Sequence, residues 1–361
     1  LIDLTETNPT RVGLEYPAGV LDQLAAPAGL VYRPHPLGLA SAREAIAREC
    51  RSAGLPVEPG RLILTASTSE AYSFLFKLLC DPGDEVLVPV PSYPLFEHLT
   101  RLDGVESRSY PLEYHGTWSI DLAALEGAVT SRTRALLIVS PNNPTGSLLG
   151  RGDLDRLARF CAANGLALVG DEVFADYLVA PRADHASVLH QDVALAFCLG
   201  GLSKSAGLPQ LKLGWIAAGG PRALVGDALA RLEVLADAYL SVSTPVQEAV
   251  ETLLAHGREI RRLILERVRA NLRRLELAAA AAPACSVLRV EGGWSAVVRV
   301  PATRSEEDLV LDLLEREGVL VHPGYFFDFP REAYLVVSLL PPPTTFETGV
   351  ARLFAQVGTD A

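Results

Sequence analysis

The sequence contains no methionine and little cysteine, and the pattern of its cysteines argues against two classes of site. Its five cysteines are scattered over 361 residues with no CxxC pair. A disulfide framework or a thiolate metal cluster therefore does not fit, and the pattern favours small buried thiols in a reducing compartment. The seven histidines show no HxH or HExxH spacing, so we expect no metal site.

Positive charge and long apolar runs are also scarce. Lysine and arginine total 32 against 43 acidic residues, and the net charge of −11 makes nucleic acid and anionic membranes poor partners. No apolar run has the length of a membrane span, and no signal peptide is visible at the first residues. We therefore expect a cytoplasmic protein with neither a membrane nor a nucleic-acid partner.

The chain does contain a regular alternation of short apolar runs and helical patterns. Six runs are typical of buried strands, at residues 61–65, 84–89, 134–140, 166–172, 193–199 and 212–219. Helical patterns lie between the early runs, at residues 67–79, 93–102 and 153–164. This alternation predicts a mostly parallel sheet covered by helices on both faces.

The pattern changes after residue 245. A long helical pattern at 246–281 precedes short strands and two further helices, which predicts a smaller α+β unit. Residues 5–17 contain three helix breakers and predict an irregular arm. We therefore predict an α/β fold with a three-layer large domain, plus a smaller α+β domain built from both termini. The expected divisions are the arm and part of the small domain, the large domain, and the linking helix with the small C-terminal domain, at residues 1–30, 31–245 and 246–361.

Polar side chains follow several predicted strands at the points where the strands end. In open α/β sheets, ligands bind at the carboxyl ends of the strands. These ends carry Ser67 to Ser69, Tyr93, the segment 140–146, Asp171 and Lys204. The sequence therefore predicts a ligand site along this edge of the sheet.

Taken singly, each of these features has an ordinary structural explanation. A lysine at a helix start commonly reaches solvent along its own stem, and an aspartate at a strand end commonly forms an ion pair. Ser67 with Glu70 is typical of a capping box, and "SPNNPTG" (140–146) is typical of an asparagine–proline turn. No single motif therefore settles the function.

Together, the features indicate a specific chemistry. A partly desolvated lysine has a lowered pKa, and its neutral amine forms a Schiff base with an aldehyde. A carboxylate can hold a positive ring nitrogen, and a helix N-terminus binds phosphate. Lys204, Asp171 and residues 67–69 supply the parts that pyridoxal phosphate needs from a protein.

The order of the motifs resembles that of the fold-type I pyridoxal-phosphate-dependent aminotransferases of classes I and II. The matching segments span nearly the whole chain in the family order: "YRPHPLGLASAR", "TASTSEAY", "VPVPSYPLF", "SPNNPTG", "GDEVFADY", "LSKSAGLPQLKLGW", "VSTPVQEA" and "VHPGYFF". The combination of "SPNNPTG", "DEVF" and "SKSAGLP" at these separations is the most specific part.

The resemblance implies a role for each matching residue. Lys204 is implied to bind the cofactor covalently and later to move the substrate proton. Asp171 is implied to pair with the ring nitrogen, Asn143 to donate to the cofactor's phenolic oxygen, and Tyr93 to stack on the ring. The phosphate cradle is implied to comprise Ser67, Thr68, Ser69, Ser203 and Lys212.

The resemblance also implies a homodimer with shared active sites. Tyr32 is similar to a tyrosine that reaches the phosphate of the neighbouring subunit. The implied reaction is transfer of an amino group from an amino acid to a 2-oxo acid by a ping-pong mechanism.

Three positions depart from the family pattern. Phe174 stands where a tyrosine is usual, so one hydrogen bond to the phenolic oxygen is lost. Lys212 stands where arginine is common, which keeps the charge without the bidentate geometry. Val336 stands where the family carries an arginine that holds the substrate carboxylate. Arg11, on the N-terminal arm, and Arg33 are the candidate substitutes.

The missing arginine leaves alternatives open. The same cofactor serves decarboxylases, β-lyases and synthases of biosynthetic pathways, and any of these reactions fits the motifs. A remote alternative is a ligand-sensing module of a regulator, although no helix-turn-helix segment leads the chain. No charged side chain stands out as a recogniser of a substrate side chain, which favours a small or apolar substrate. The amino donor and the keto acceptor do not follow from the sequence.

Overall fold

The computed structural model describes residues 1–180 and 182–359. Within these ranges the chain forms short strands and α-helices in alternation. The strands are β1 (Ile2–Asp3), β2 (Leu62–Thr65), β3 (Glu85–Val90), β4 (Glu106–Tyr114), β5 (Trp118–Ile120), β6 (Thr133–Val139), β7 (Ala167–Asp171), β8 (Ala196–Gly201), β9 (Gly214–Gly219), β10 (Ser286–Val287), β11 (Ser295–Arg299), β12 (Val319–Leu320), β13 (His322–Pro323) and β14 (Tyr334–Ser338). The helices are α1 (Ala40–Ser52), α2 (Thr68–Leu79), α3 (Phe96–Leu102), α4 (Leu122–Ala128), α5 (Arg151–Asn164), α6 (Leu202–Ser205), α7 (Arg222–Asp237), α8 (Thr244–Ala280), α9 (Glu306–Glu317) and α10 (Pro343–Thr359).

The large sheet has eight strands in the order β2-β9-β8-β7-β6-β3-β4-β5. Its centre is parallel, because β8, β7, β6, β3 and β4 all run in one direction. β9 is antiparallel to both of its neighbours, and β5 is antiparallel to β4. The prediction of a mostly parallel sheet in an α/β fold is confirmed.

Alternate residues of the central strands pack into two separate apolar cores. Leu136 and Leu168 lie in the core formed with α1, α5 and α8, whereas Leu137 and Val169 lie in the core formed with α2 and α7. Side chains along a strand point alternately to opposite faces, so each strand serves both cores. The result is the expected arrangement of three layers, with the sheet in the middle.

The apolar runs do not predict β4 or β5. β4 is "ESRSYPLEY", and most of its side chains are exposed or half-buried, with Tyr110 alone fully buried. A strand near the edge of a sheet needs no continuous apolar run, because one of its faces stays in water. β5 has only three residues and pairs with β4 as a hairpin.

A second sheet, in the order β10-β11-β14-β13, is antiparallel and lies wholly after residue 245. The N-terminal residues join this region, because β1 pairs with β12 and the Ser338 N–H donates to the Leu4 carbonyl at 2.6 Å. Residues 5–17 then run as an irregular arm with one short 3₁₀ turn at Pro9–Arg11. These pairings support the domain divisions at residues 30 and 245, which we keep as a proposal.

The long helix α8 connects the two regions. It packs so closely on α6 that a Cβ on Gly257 would lie 2.6 Å from the Ala206 Cβ, so glycine alone fits there. This contact fixes the short helix that carries Lys204. None of the helices within the described residues combines the length and apolar character needed to cross a membrane.

Candidate active site

Lys204 lies on α6, directly after the buried strand β8, and its side chain is half-buried. Its Nζ lies 5.0 Å from the ring centroid of Trp294 and 5.5 Å from that of Phe174. Among the described residues the ammonium has no hydrogen-bond or ion-pair partner. Burial lowers the pKa of Lys204, and the charge of Asp171 opposes that shift only in part.

Asp171 is the last residue of β7 and points to the α2 side of the sheet. The Tyr72 hydroxyl donates to its Oδ2 at 2.9 Å, and the Val173 N–H donates to its Oδ1 at 3.3 Å. Burial raises the pKa of Asp171, while these hydrogen bonds and the Lys204 charge act against the rise. The carboxylate is therefore held in place, in a position where a bound cation would further favour its charged form.

The two asparagines that follow β6 have different tasks. Asn142 holds the turn, since its Oδ1 accepts from the Thr145 N–H and Oγ1 and its Nδ2 donates to Ser92. Asn143 instead faces a cavity, where its Oδ1 accepts from the Ser295 hydroxyl at 3.2 Å. The Asn143 amide nitrogen has no partner among the described residues, so it is available to a ligand.

The start of α2, within the segment "TASTSE", both caps the helix and offers N–H groups to an anion. Ser67 caps the helix by accepting from the Glu70 N–H at 3.2 Å, and Glu70 accepts in turn from the Ala66 N–H at 2.6 Å. This arrangement resembles a capping box, except that Glu70 accepts from the residue before the N-cap. The Thr68 and Ser69 N–H groups belong to the first turn, which leaves them without intrahelical acceptors and able to bind an anion.

Ser203 lies on α6 beside Lys204, and Lys212 precedes β9, whose first residue lies against the start of α2. Gly214 at the start of β9 pairs with Thr65, and a Cβ on Gly214 would lie 3.1 Å from the Ser67 backbone. Lys212, two residues earlier, is exposed, has a left-handed backbone (φ 50°), and has no partner among the described residues. A positive charge therefore lies close to the N-terminus of α2.

Two aromatic residues named from the sequence lie at the site in different ways. Tyr93 is 42% exposed and borders the cavity beside Asn143. Phe174 is buried and packs edge-on against Trp294, with ring centroids 5.2 Å apart. Phe174 has no hydroxyl to donate, as expected from the departure at this position.

The remaining named residues do not reach this cavity within one chain. Tyr32 is 75% exposed and borders a different pocket together with Arg33, which forms an ion pair with Glu248. The Arg11 side chain is 73% exposed and lies 3.5 Å from Glu6. Within one chain, the structure therefore leaves Tyr32 and the two arginines away from the other residues predicted from the sequence.

The cavity has a volume of about 330 Å³ and lies between the large sheet and the small one. Val336 and Ser338 of β14 line it, as does His322 of β13, which pairs directly with Val336. Its described lining contains no aspartate, glutamate, lysine or arginine. The full lining comprises Thr5, Thr7, Tyr93, Pro94, Asn143, Ser295, His322, Phe326, Phe327, Val336 and Ser338.

Sequence reasoning assigned no role to Tyr72, Trp294 or His322. Tyr72 lies one turn into α2. Because the first turns of α2 face the strand ends, this position could have marked Tyr72 as a site residue. Trp294 is 1% exposed, and its Nε1 has no partner among the described residues. It lies in the bend directly before β11, far along the chain from Lys204, so no local pattern marks it. The described residues contain no cluster of metal-ligating side chains.

Comparisons with known proteins match this geometry. The family model described as aminotransferase class I and II matches residues 23–352. The alanine aminotransferase of Mycobacterium bovis is 29% identical over 367 residues, covering 98% of this chain and 84% of the relative. The glutamate-pyruvate aminotransferase AlaA of Haemophilus influenzae is 26% identical over 362 residues, covering 98% and 89%.

Solved structures agree. An aminotransferase from Escherichia coli superposes with a TM-score of 0.88 at 26% identity, covering 99% of this chain and 90% of that one. The alanine aminotransferase from Pyrococcus furiosus gives 0.86 at 26% identity, covering 99% and 92%. Members of the family use pyridoxal phosphate. The chain belongs to the class I and II aminotransferase family and is an amino-acid transaminase.

Proposed function

We propose that this transaminase binds pyridoxal phosphate at Lys204 and exchanges an amino group between a small, uncharged 2-amino acid and a 2-oxo acid. The observation that carries the proposal is the meeting of Lys204, Asp171 and Asn143 at neighbouring strand ends, beside a cavity of about 330 Å³. Its described lining has no charged group to recognise a charged side chain. A relative named for alanine, and pyruvate in the name of a second, support a small substrate.

The residues fit this cofactor. The Lys204 amine has no partner among the described residues and is available to an aldehyde, while Asp171 is held ready for a ring nitrogen. The Asn143 amide nitrogen faces the cavity as a donor. The first N–H groups of α2, with Ser203 and Lys212 nearby, suit a phosphate. Tyr93 borders the same space and offers a ring for stacking.

When bound, pyridoxal phosphate supplies an aldehyde carbon and a ring that accepts an electron pair from the substrate. The protein's residues then position and move protons. The charge of Asp171 favours a proton on a nitrogen placed against it. The Lys204 Nζ takes a proton from the substrate's α-carbon and delivers it two bonds away, to the carbon beyond the substrate nitrogen, first as a base and then as an acid. Its lowered pKa keeps more of the amine neutral for the first step.

We also propose that the active form is a homodimer. Leu30, Val31 and Tyr32 are 89%, 54% and 75% exposed, which is unusual for consecutive apolar side chains in one segment. In this arrangement Tyr32 and Arg33 of each protomer reach the site of the other, and Arg11 of the arm remains a candidate for the substrate carboxylate. All five cysteines are free thiols, which supports a reducing, cytoplasmic location.

The test is a screen of amino donors against the cofactor-loaded protein. We expect a small apolar amino acid to remove the cofactor's visible absorbance stoichiometrically, and a 2-oxo acid to restore it. Borohydride should bleach the wild type and leave the cofactor attached to Lys204. Lys204→Ala should lose both effects, with kcat lower by about 10²–10⁴-fold or more, while the control Lys77→Ala on the outside of α2 keeps them.

Other outcomes contradict this proposal. Turnover of an amino acid without any 2-oxo acid, with release of carbon dioxide or of a β-substituent, would indicate a decarboxylase or a lyase. A protein that takes up no pyridoxal phosphate would refute the cofactor assignment. A monomer that retains full activity at low concentration would refute the shared site.

A further inference from the structure

His322 is the one side chain in the described lining of the cavity that can become positively charged. Every amino-acid substrate brings a carboxylate next to its reacting carbon. Burying a carboxylate without a cation is costly, so the site needs a positive partner for it. Lys204 is occupied by the reaction itself.

The two arginines considered from the sequence do not border the cavity in this chain. Arg11 is mostly exposed and close to Glu6, and Arg33 is paired with Glu248 beside another pocket. The cavity position opposite His322 is Val336, an apolar side chain that cannot bind an anion. Among the described residues that line the cavity, this leaves the imidazole.

The geometry of His322 suits the task. It lies on β13 directly opposite Val336 of β14, and directly opposed residues place their side chains on the same face of a sheet. Ser338, two residues further along β14, shares that face and also lines the cavity. The His322 ring packs against Phe326 and Phe327, with centroids 5.8 and 5.7 Å away, which limits its movement.

We propose that His322, in its protonated form, binds the carboxylate of the substrate. It takes the role of the permanently charged arginine that the family carries at the position of Val336. This inference rests on the proposed function, because it assumes that amino-acid substrates enter the cavity beside Asn143. A histidine differs from an arginine in one measurable respect, since its charge depends on pH.

The surroundings set the direction of that dependence. Burial lowers the pKa of His322 below its ordinary 6.5, and Asp3 near β1 acts against the shift. The other titratable groups around it are Tyr93 across the cavity, whose pKa is raised, Tyr325 on the following turn, and Glu306 of α9, whose carboxylate accepts from the Tyr325 and Tyr334 N–H groups. The free site is therefore neutral near pH 7, and binding of a carboxylate takes up a proton.

Calorimetry with propionate, a carboxylate that has no amine, tests this directly on the cofactor-loaded protein. Titration at about pH 7.5 in two buffers of different ionisation enthalpy gives the number of protons taken up. We expect the wild type to take up close to one proton. His322→Gln should bind propionate about 10-fold more weakly with no uptake, and His322→Arg should bind it with no uptake.

Steady-state kinetics give the second readout. For His322→Gln we expect KM for an amino acid to rise about 10-fold with little change in kcat, while a primary amine of the same length reacts as with the wild type. The wild-type KM should rise with pH above neutrality, and that of His322→Arg should stay flat. His115→Gln, which changes an exposed histidine on the β4–β5 turn, is the control.

Three results would overturn the inference: wild-type binding without proton uptake, wild-type affinity in His322→Gln, or loss of propionate binding in Arg11→Ala or Arg33→Ala instead. Failure of the proposed function looks different. In that case no amino acid discharges the cofactor absorbance, whereas propionate binding still reports on His322.

Discussion

The two walls of the active-site cavity carry different kinds of side chain. On the side of the large sheet, which we call the sheet wall, Asn143 lines the cavity and Asp171 and Lys204 lie at the neighbouring strand ends. The wall from the small sheet and the arm, the cap wall, carries Thr5, His322, Val336 and Ser338. Burial raises the pKa of Asp171 and lowers the pKa of Lys204, so it favours the neutral form of both side chains. The cap wall consists mainly of neutral groups.

Buried ionisable groups beside the site have a cost in folding stability. At the end of β7, Asp171 and Glu172 are adjacent in the chain and lie on opposite faces of the sheet, and both carboxyls are removed from water. Glu172 is 8% exposed, borders a second cavity of about 300 Å³, and accepts from the Val188 N–H at 2.8 Å. A buried carboxylate without a cation destabilises the fold when it ionises.

The largest expected effect is therefore a gain of stability from Glu172→Gln at high pH. Burial raises the pKa of Glu172 from 4.5 to about 7, with hydrogen bonds from Val188 and Ser187 opposing. A raised folded-state pKa contributes stability that is present below pH 4.5 and is lost as pH rises through about 7. At about pH 8 the variant should be more stable by up to about 3 kcal/mol, and at about pH 4 the difference should vanish.

Urea unfolding at the two pH values measures this effect. The control is Glu49→Gln, because hydrogen bonds from Arg258 and Arg261 outweigh the burial of Glu49 and lower its pKa. That variant should be less stable at neutral pH. Equal stability of Glu172→Gln and the wild type at both pH values would mean that the buried Glu172 carboxylate does not destabilise the fold.

The difference between the sheet wall and the cap wall explains which site residues the sequence could predict. Lys204, Asp171 and Asn143 each follow a buried strand, so an apolar run and the next polar residue locate them from local pattern alone. The sheet wall could therefore be predicted residue by residue.

The cap wall could not be predicted in this way. Thr5, Ser295, His322 and Ser338 come from segments far apart in the chain, and they meet because β1 pairs with β12 and β11 with β14. β1, β12 and β13 have two residues each, too few for a period to be visible. Val336 stands out in the sequence only because the family resemblance implies an arginine at that position. Nothing in the local sequence identifies His322 as its neighbour.

An intermediate effect is expected from Tyr72→Phe on the sheet wall. The variant removes the 2.9 Å hydrogen bond to Asp171 and leaves the ring packing on Phe76 and Phe96 in place. The pKa of Asp171 should rise further, since that hydrogen bond favours its charged form. A hydrogen bond to a charged group contributes about 1.5–3 kcal/mol, so affinity for pyridoxal phosphate should fall about 10-fold or more.

Equilibrium dialysis against pyridoxal phosphate measures that affinity. Tyr110→Phe is the matched control, because it also removes a buried tyrosine hydroxyl from the large sheet, one that donates to the Leu137 carbonyl at 2.7 Å. Tyr110→Phe should lower the free energy of unfolding without changing cofactor affinity. Equal losses of affinity in both variants would assign the effect to general loosening of the sheet.

The smallest effect is expected on the cap wall, from Ser338→Ala. The Ser338 hydroxyl donates to the Glu6 carbonyl at 2.7 Å and accepts from the Leu340 N–H at 3.2 Å, which ties the arm to β14. The variant should lose about 1 kcal/mol of unfolding free energy and show faster hydrogen exchange in residues 5–17, with cofactor affinity unchanged. Ser52→Ala, which removes an exposed hydroxyl bonded to the Glu49 carbonyl, is the control. If Ser338→Ala weakened cofactor binding instead, the sheet wall and the cap wall would be energetically coupled. The two walls could then not be treated as separate parts of the site.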